Sequence, residues 1–164
     1  MELYGTQCCR GVTEVQKEAY RDCSVHPDWH NFQVFAEWYN KQNQAGESFE
    51  LDKDFRVLGN RVYSESTCCL IPRKLNQVMV GSLKSKNGLP VGVGRVPSGK
   101  YKSSFRVDGK TKNLGVFDSV EAAQKAYREG KAEHMLKMVE SYKQVIGEPL
   151  YREMVESILE FGQE

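Results

Sequence analysis

Hydrophobic and polar positions along the chain follow two periods, and the change from one to the other lays out the elements. From Lys100 to Val107 they alternate, with Lys100, Lys102, Ser104 and Arg106 on one side and Tyr101, Ser103, Phe105 and Val107 on the other. That period of two predicts a strand with one buried face. A short apolar strand within Val91–Val96 and a Pro97-Ser98-Gly99 turn precede it. Asp108-Gly109 predicts a tight hairpin, because a type I′ turn needs positive φ at both central residues. Lys110–Phe117 returns as a third strand, with Lys110 and Lys112 on one side. Asp118 and Glu121 have capping-box spacing, so a helix is expected to open there with Asp118 accepting from the first-turn amides. Its apolar positions Val120, Ala123, Tyr127, Leu136, Val139, Tyr142 and Ile146 share a side if Gly130 is carried at about 1 kcal/mol. Gly147-Glu148-Pro149 stops it, and Leu150, Met154, Ile158 and Phe161 line one face of a last helix ending before Gly162.

The first half is less regular. Thr13–Gln16 has the spacing of a second capping box for a short helix ending near Tyr20, and Cys23–Val25 reads as extended. Asn31 is placed to cap a helix from about Phe32 to Gln42, whose buried stripe is Phe32, Phe35, Ala36 and Tyr39. Phe49–Pro72 predicts a strand, a turn at Gly59-Asn60, a strand at Arg61–Tyr63 and a short helix capped by Ser64 or Ser66. Gly81–Pro90, rich in glycine, serine and lysine, reads as a flexible connector. The expected fold class is α+β.

Composition bounds the function. With 164 residues, 40% of them apolar, the chain is globular, with room for one domain or two small ones. It has no run of 18 apolar residues and no N-terminal h-region, so neither a membrane span nor a signal peptide is expected. Five cysteines, two pairs of them adjacent, fit a reducing cytoplasmic interior better than a secreted disulfide framework. The net charge is only +1, yet it is unevenly spread. Residues 82–112 hold Lys84, Lys86, Arg95, Lys100, Lys102, Arg106, Lys110 and Lys112 against Asp108 alone, a net of +7; residues 1–81 carry −2 and residues 113–164 carry −4. One basic sheet in a near-neutral chain points to a polyanion, and the alternative is a lysine-protected sheet edge.

The same stretch resembles a known family. Gly92-Val93, Ser98-Gly99-Lys100-Tyr101, Phe105-Arg106-Val107, Leu114-Gly115-x-Phe117-Asp118 and Glu121-Ala122-Ala123-x-x-Ala126-Tyr127 follow the AP2 domain in order and spacing. The resemblance implies a three-stranded sheet that binds double-stranded DNA, with strand residues entering the major groove. Gly94, Val96, Tyr101 and Asn113 stand where the plant domain carries arginines and tryptophans, so backbone-dominated, salt-sensitive binding is expected. Mapped onto this chain, the DNA contacts are Arg95, Lys100, Tyr101, Lys102, Ser104, Arg106 and Lys112, with Lys84 and Lys86 on flanking phosphate. The helical tail either packs on its own domain or forms a homodimer.

Trp29-His30-Asn31-Phe32, Phe35-Ala36-x-Trp38, Leu51-Asp52-Lys53-Asp54, Gly59-Asn60, Val62-Tyr63-Ser64, Thr67-Cys68-Cys69 and Pro72 resemble the ββα-metal (HNH-type) half of phage homing-endonuclease-like proteins that carry a C-terminal AP2 domain. That resemblance implies residues 1–80 as an HNH-like domain, 81–90 as a basic linker, 91–146 as the AP2-like domain and 147–164 as a C-terminal helix. The module's chemistry needs a histidine to activate water and two side chains to hold magnesium or manganese. The matching positions are Asp52 and Lys53 on the strand, about Thr67 on the helix and about Asn76 last, with Asp52 as the metal ligand and Lys53 where the base should be. A lysine ammonium accepts no proton at neutral pH unless its pKa is driven far down, so the catalytic set is degenerate. Cys23-x-x-His26 and His26-x-x-x-His30, joined by Cys9, have zinc-like separations, against the alternative of buried cysteines and surface histidines. Three functions stay open: a DNA-binding protein with impaired or absent nuclease activity, an active metal-dependent nicking endonuclease, and a scaffold reused to bind a host or defence protein.

Overall fold

The computed structural model describes residues 20–42, 48–57, 59–79 and 88–163. The helix expected from Thr13, Cys9 and most of the connector with Lys84 and Lys86 lie outside the described residues. The fold is mixed helix and strand, as expected. Contacts divide the chain into two compact units: Met1–Gln42 with Leu51–Cys69, and Asn43–Glu50 with Leu70–Glu164. Residues 70–79 thus group with the basic sheet and not with the first half.

The first unit contains β1 (Ser24–Val25), a 3-10 turn at Pro27–His30 and α1 (Phe32–Lys41). The Asn31 side chain accepts from the Gln33 amide at 3.0 Å and so starts α1, as its position predicts. The buried stripe is not the expected one. Trp29 and Trp38 are buried against each other at 4.7 Å, and Phe35 meets Trp29 edge-on at 5.1 Å. Phe32, in contrast, is 70% exposed. The helix turns its i+3 aromatic pair Phe35 and Trp38 onto Trp29, which rotates Phe32 outward.

β2 (Phe49–Asp52) pairs with β4 (Cys69–Pro72), and β3 (Val62–Tyr63) pairs in parallel with β1. The strand-turn-strand hairpin expected over 49–63 is therefore not made, and no helix follows Ser64. There the hydroxyls bond one another, Ser64 Oγ to Thr67 Oγ1 at 2.8 Å, while Thr67 Oγ1 donates to the Val62 carbonyl at 2.8 Å. Such local side-chain bonds compete with helix propagation, and the chain makes a turn before entering β4. The short helix lies later, α2 (Arg73–Met79).

The second unit is organised by β5 (Val93–Arg95), β6 (Tyr101–Val107) and β7 (Lys110–Phe117), an antiparallel sheet with β6 in the centre. Asp108 and Gly109 both have positive φ, 49° and 75°, as the predicted two-residue turn requires. One face of the sheet packs on α3 (Val120–Gln163), which breaks at Gly147 (φ 77°, ψ 160°) into arms 120–146 and 148–163. Ala123, Tyr127, Met135, Val139 and Ile146 are buried on the first arm, Met154 and Ile158 on the second. The arms fold back on each other: a Cβ at Gly162 would lie 3.2 Å from Ala132 Cβ, and Lys143 Nζ sits 4.3 Å from the Tyr151 ring. Self-packing therefore accounts for the helical tail. Gly130 is a packing requirement, since a Cβ there would come 2.7 Å from Leu114 Cδ2.

The start of α3 differs from expectation. Ser119 Oγ, not the Asp118 carboxylate, accepts from a first-turn amide, that of Ala122 at 3.1 Å. Asp118 instead pairs with Lys100 at 2.7 Å. Ser119→Ala is expected to cost about 1 kcal/mol, the usual worth of a cap, read as a lower urea midpoint; Asp118→Asn should cost less.

Candidate nucleic-acid interface

Strand register decides which cations share a surface. Opposite residues of an antiparallel pair project to the same side. β6 directs Tyr101, Ser103, Phe105 and Val107 toward α3, where Ser103 and Phe105 are buried and the Phe105 ring meets Tyr127 at 6.3 Å. Lys102, Ser104 and Arg106 project from the uncovered side. Their partners are Gly94 and Val116 for Lys102, Asn113 for Ser104 and Thr111 for Arg106. The uncovered face thus carries two cations, three small polar side chains and Val116, which is 56% exposed. The Lys102 side chain lies across Gly94, where a Cβ would be 3.2 Å from its Cε.

The remaining expected contacts are elsewhere. Lys110 and Lys112 stand opposite Val107 and Phe105, so they project to the helix side. Lys112 Nζ accordingly sits 5.5 Å from the Phe105 ring. Tyr101 shares that side, and Arg95, opposite Tyr101, stacks on its ring at 5.5 Å and donates to its hydroxyl at 3.2 Å. Lys100 is tied to Asp118, which raises the lysine's pKa through the hydrogen bond and the opposing charge. Of the described cations expected to touch DNA, only Lys102 and Arg106 stand together on the open face, and neither has a carboxylate partner among the described residues. Expectation missed Thr111, Asn113 and Val116. The two-residue turn puts Thr111 and Asn113 on this side, and a bulge brings Val116 to it: register shifts between Ser103 and Ser104, leaving Leu114 as an extra residue turned to Gly130.

The candidate catalytic residues are occupied in other ways. Asp52 Oδ1 accepts from the amides of Asp54 at 2.9 Å and Phe55 at 2.6 Å, closing the loop after β2. Lys53 is 8% exposed and donates to both Asp54 carboxylate oxygens and to the Asn60 carbonyl at 2.9 Å. That is a loop clamp, and an ammonium so held has no lone pair for a base. Asn76, in the second unit, donates to Glu50 at 3.0 Å, and Arg73 pairs with the same Glu50 carboxylate at 3.3 Å. For zinc, Cys9 lies outside the described residues, and Cys23, His26 and His30 are not brought together. His26 instead accepts from the Asp28 amide and caps the 3-10 turn. Among the described residues no group of three or more histidines, cysteines or carboxylates is placed to hold a metal, and no described helix is long and apolar enough to cross a membrane.

Comparison with protein families, with curated proteins and with solved structures found no match.

Proposed function

We propose that the second unit binds double-stranded DNA through the open face of its three-stranded sheet, with Lys102 and Arg106 on phosphate and Ser104, Thr111 and Asn113 as short-range hydrogen-bonding groups. The observation that carries this reading is a sheet covered on one face by α3 and, on the other, displaying two cations with no carboxylate partner among the described residues, set among small polar side chains. Such a surface lets a duplex approach closely, because nothing larger than Val116 interrupts it. The AP2-like order of three strands and a helix supports the same reading. Arg106 offers phosphate a planar fork, whereas Lys102 acts as a point charge.

The two open-face cations set the expected salt dependence. Affinity should fall with salt at a log–log slope of about −2 for Lys102 and Arg106 alone, and more steeply for each phosphate that Lys84 and Lys86 neutralise. Mobility shifts on a duplex between 50 and 200 mM salt measure it, and a slope near zero would refute the proposal. The exposure of Val116 beside Lys102 favours a second reading, docking to an acidic partner protein. A stoichiometric protein complex that Val116→Asp disrupts, formed by a chain that shifts no duplex, would replace the first reading with the second.

A further inference from the structure

A groove in the second unit runs between α2, α3 and the turn end of the sheet. Its walls mix apolar side chains, among them Val78, Tyr142 and Val145, with polar ones, among them Gln77, Ser141 and Lys131. Lys131 is half-buried, and its Nζ lies 5.9 Å from the Tyr127 ring and 5.9 Å from the Phe161 ring. It has no carboxylate partner among the described residues. Burial holds its pKa below the usual lysine value, a sign that the surroundings do not compensate the charge.

The rest of the groove has the same sign. Lys74 and Arg106 line it with Lys131, against Asp108 as the only carboxylate among the described lining residues. His134, one turn beyond Lys131, lies against Phe105 at 5.7 Å; burial and the field of Lys112 lower its pKa. An ammonium flanked by aromatic rings and lacking a carboxylate partner among the described residues attracts an anion that brings its own apolar surface. The anion supplies the missing counter-charge, and the hydrocarbon removes the groove wall from water.

We propose that this groove is a binding site for a small amphipathic anion, an apolar chain or ring bearing one carboxylate, with Lys131 as its counter-ion. The proposed counter-ion is not one of the DNA-binding cations, since Lys131 projects from α3, although Arg106 borders both surfaces. The probe is 1-anilinonaphthalene-8-sulfonate, titrated into the full chain and followed by fluorescence. Saturable binding is expected, displaced by decanoate at least tenfold better than by decanol, which has the same chain length without the charge. Lys131→Met, which keeps the side chain's apolar stem, should weaken the decanoate competition at least tenfold, while Lys102→Glu should leave it unchanged. Equal displacement by decanoate and decanol, or no saturable binding, overturns the proposal on the unmodified protein. Decanoate competing with Lys131→Met as it does with the parent chain overturns it as well.

Discussion

Reversing the two open-face cations together, Lys102→Glu with Arg106→Glu, should lower affinity for duplex DNA at least about a hundredfold near 0.1 M salt and flatten the salt dependence by about two units of slope. The magnitude follows from what each group contributes: each cation on phosphate adds about one unit to the slope, so losing both removes about two. Reversal adds repulsion to the loss. The informative control is Lys110→Glu with Lys112→Glu, an identical change in net charge on the same sheet. These lysines stand opposite Val107 and Phe105 and so project to the helix side. At physiological ionic strength the Debye length is about 8 Å, so their field on the other face is strongly screened and affinity should fall only about threefold or less. Equal losses from the two pairs would mean that only total charge matters, and the open face would lose its role. Circular dichroism of each variant separates lost binding from lost fold, because all four side chains are exposed.

The pattern of residues from 91 to 163 carried most of the second unit. Alternation located β6, Asp108-Gly109 located the turn, and the Gly147-Pro149 stop located the break between the arms. The side on which Lys112 falls was also legible. A two-residue loop fixes Lys110 opposite Val107 and Lys112 opposite Phe105, so the lysines of β7 had to share the side of a buried aromatic. Counting charge along the chain hid this, because net charge has no side. The bulge at Leu114 was not legible, since it depends on that leucine fitting against Gly130. Before residue 80 the reading failed where several weak local signals competed. Ser64, Ser66 and Thr67 look like caps, but their hydroxyls bond each other and Val62. α2 begins directly after Pro72 with no capping side chain before it, and at seven residues it has too few turns to show a period. Asp52 and Lys53 match a catalytic pattern by position alone; their partners, two loop amides for one and Asp54 with Asn60 for the other, come from how the loop closes.

Gly92→Ala is expected to destabilise the second unit by roughly 3 kcal/mol, well beyond the cost of an alanine in a left-handed conformation. Gly92 has φ 79° and sits just before β5, where its carbonyl accepts from the Ser104 amide at 2.9 Å. A Cβ built there runs into the Tyr127 ring, which is 8% exposed and packed edge-on against Phe105. The ring cannot retreat without breaking the contact that seats the sheet on α3, and overpacking of this kind costs about 1–3 kcal/mol. The backbone term adds about 1–2 kcal/mol, because an L-residue in this region brings Cβ against its own carbonyl. Gly99→Ala separates the two. Gly99 has nearly the same φ, 84°, but a Cβ there meets nothing within 4 Å, so only the backbone term remains. The difference between the two variants in urea unfolding at constant m therefore measures the cost of displacing Tyr127. A difference near zero would mean the ring moves freely, and the Tyr127–Phe105 contact would then not be what holds the sheet's inner face to the helix. The open face depends on that seating. Gly92→Ala should also weaken DNA binding at temperatures where the unit begins to melt, while Gly99→Ala keeps it.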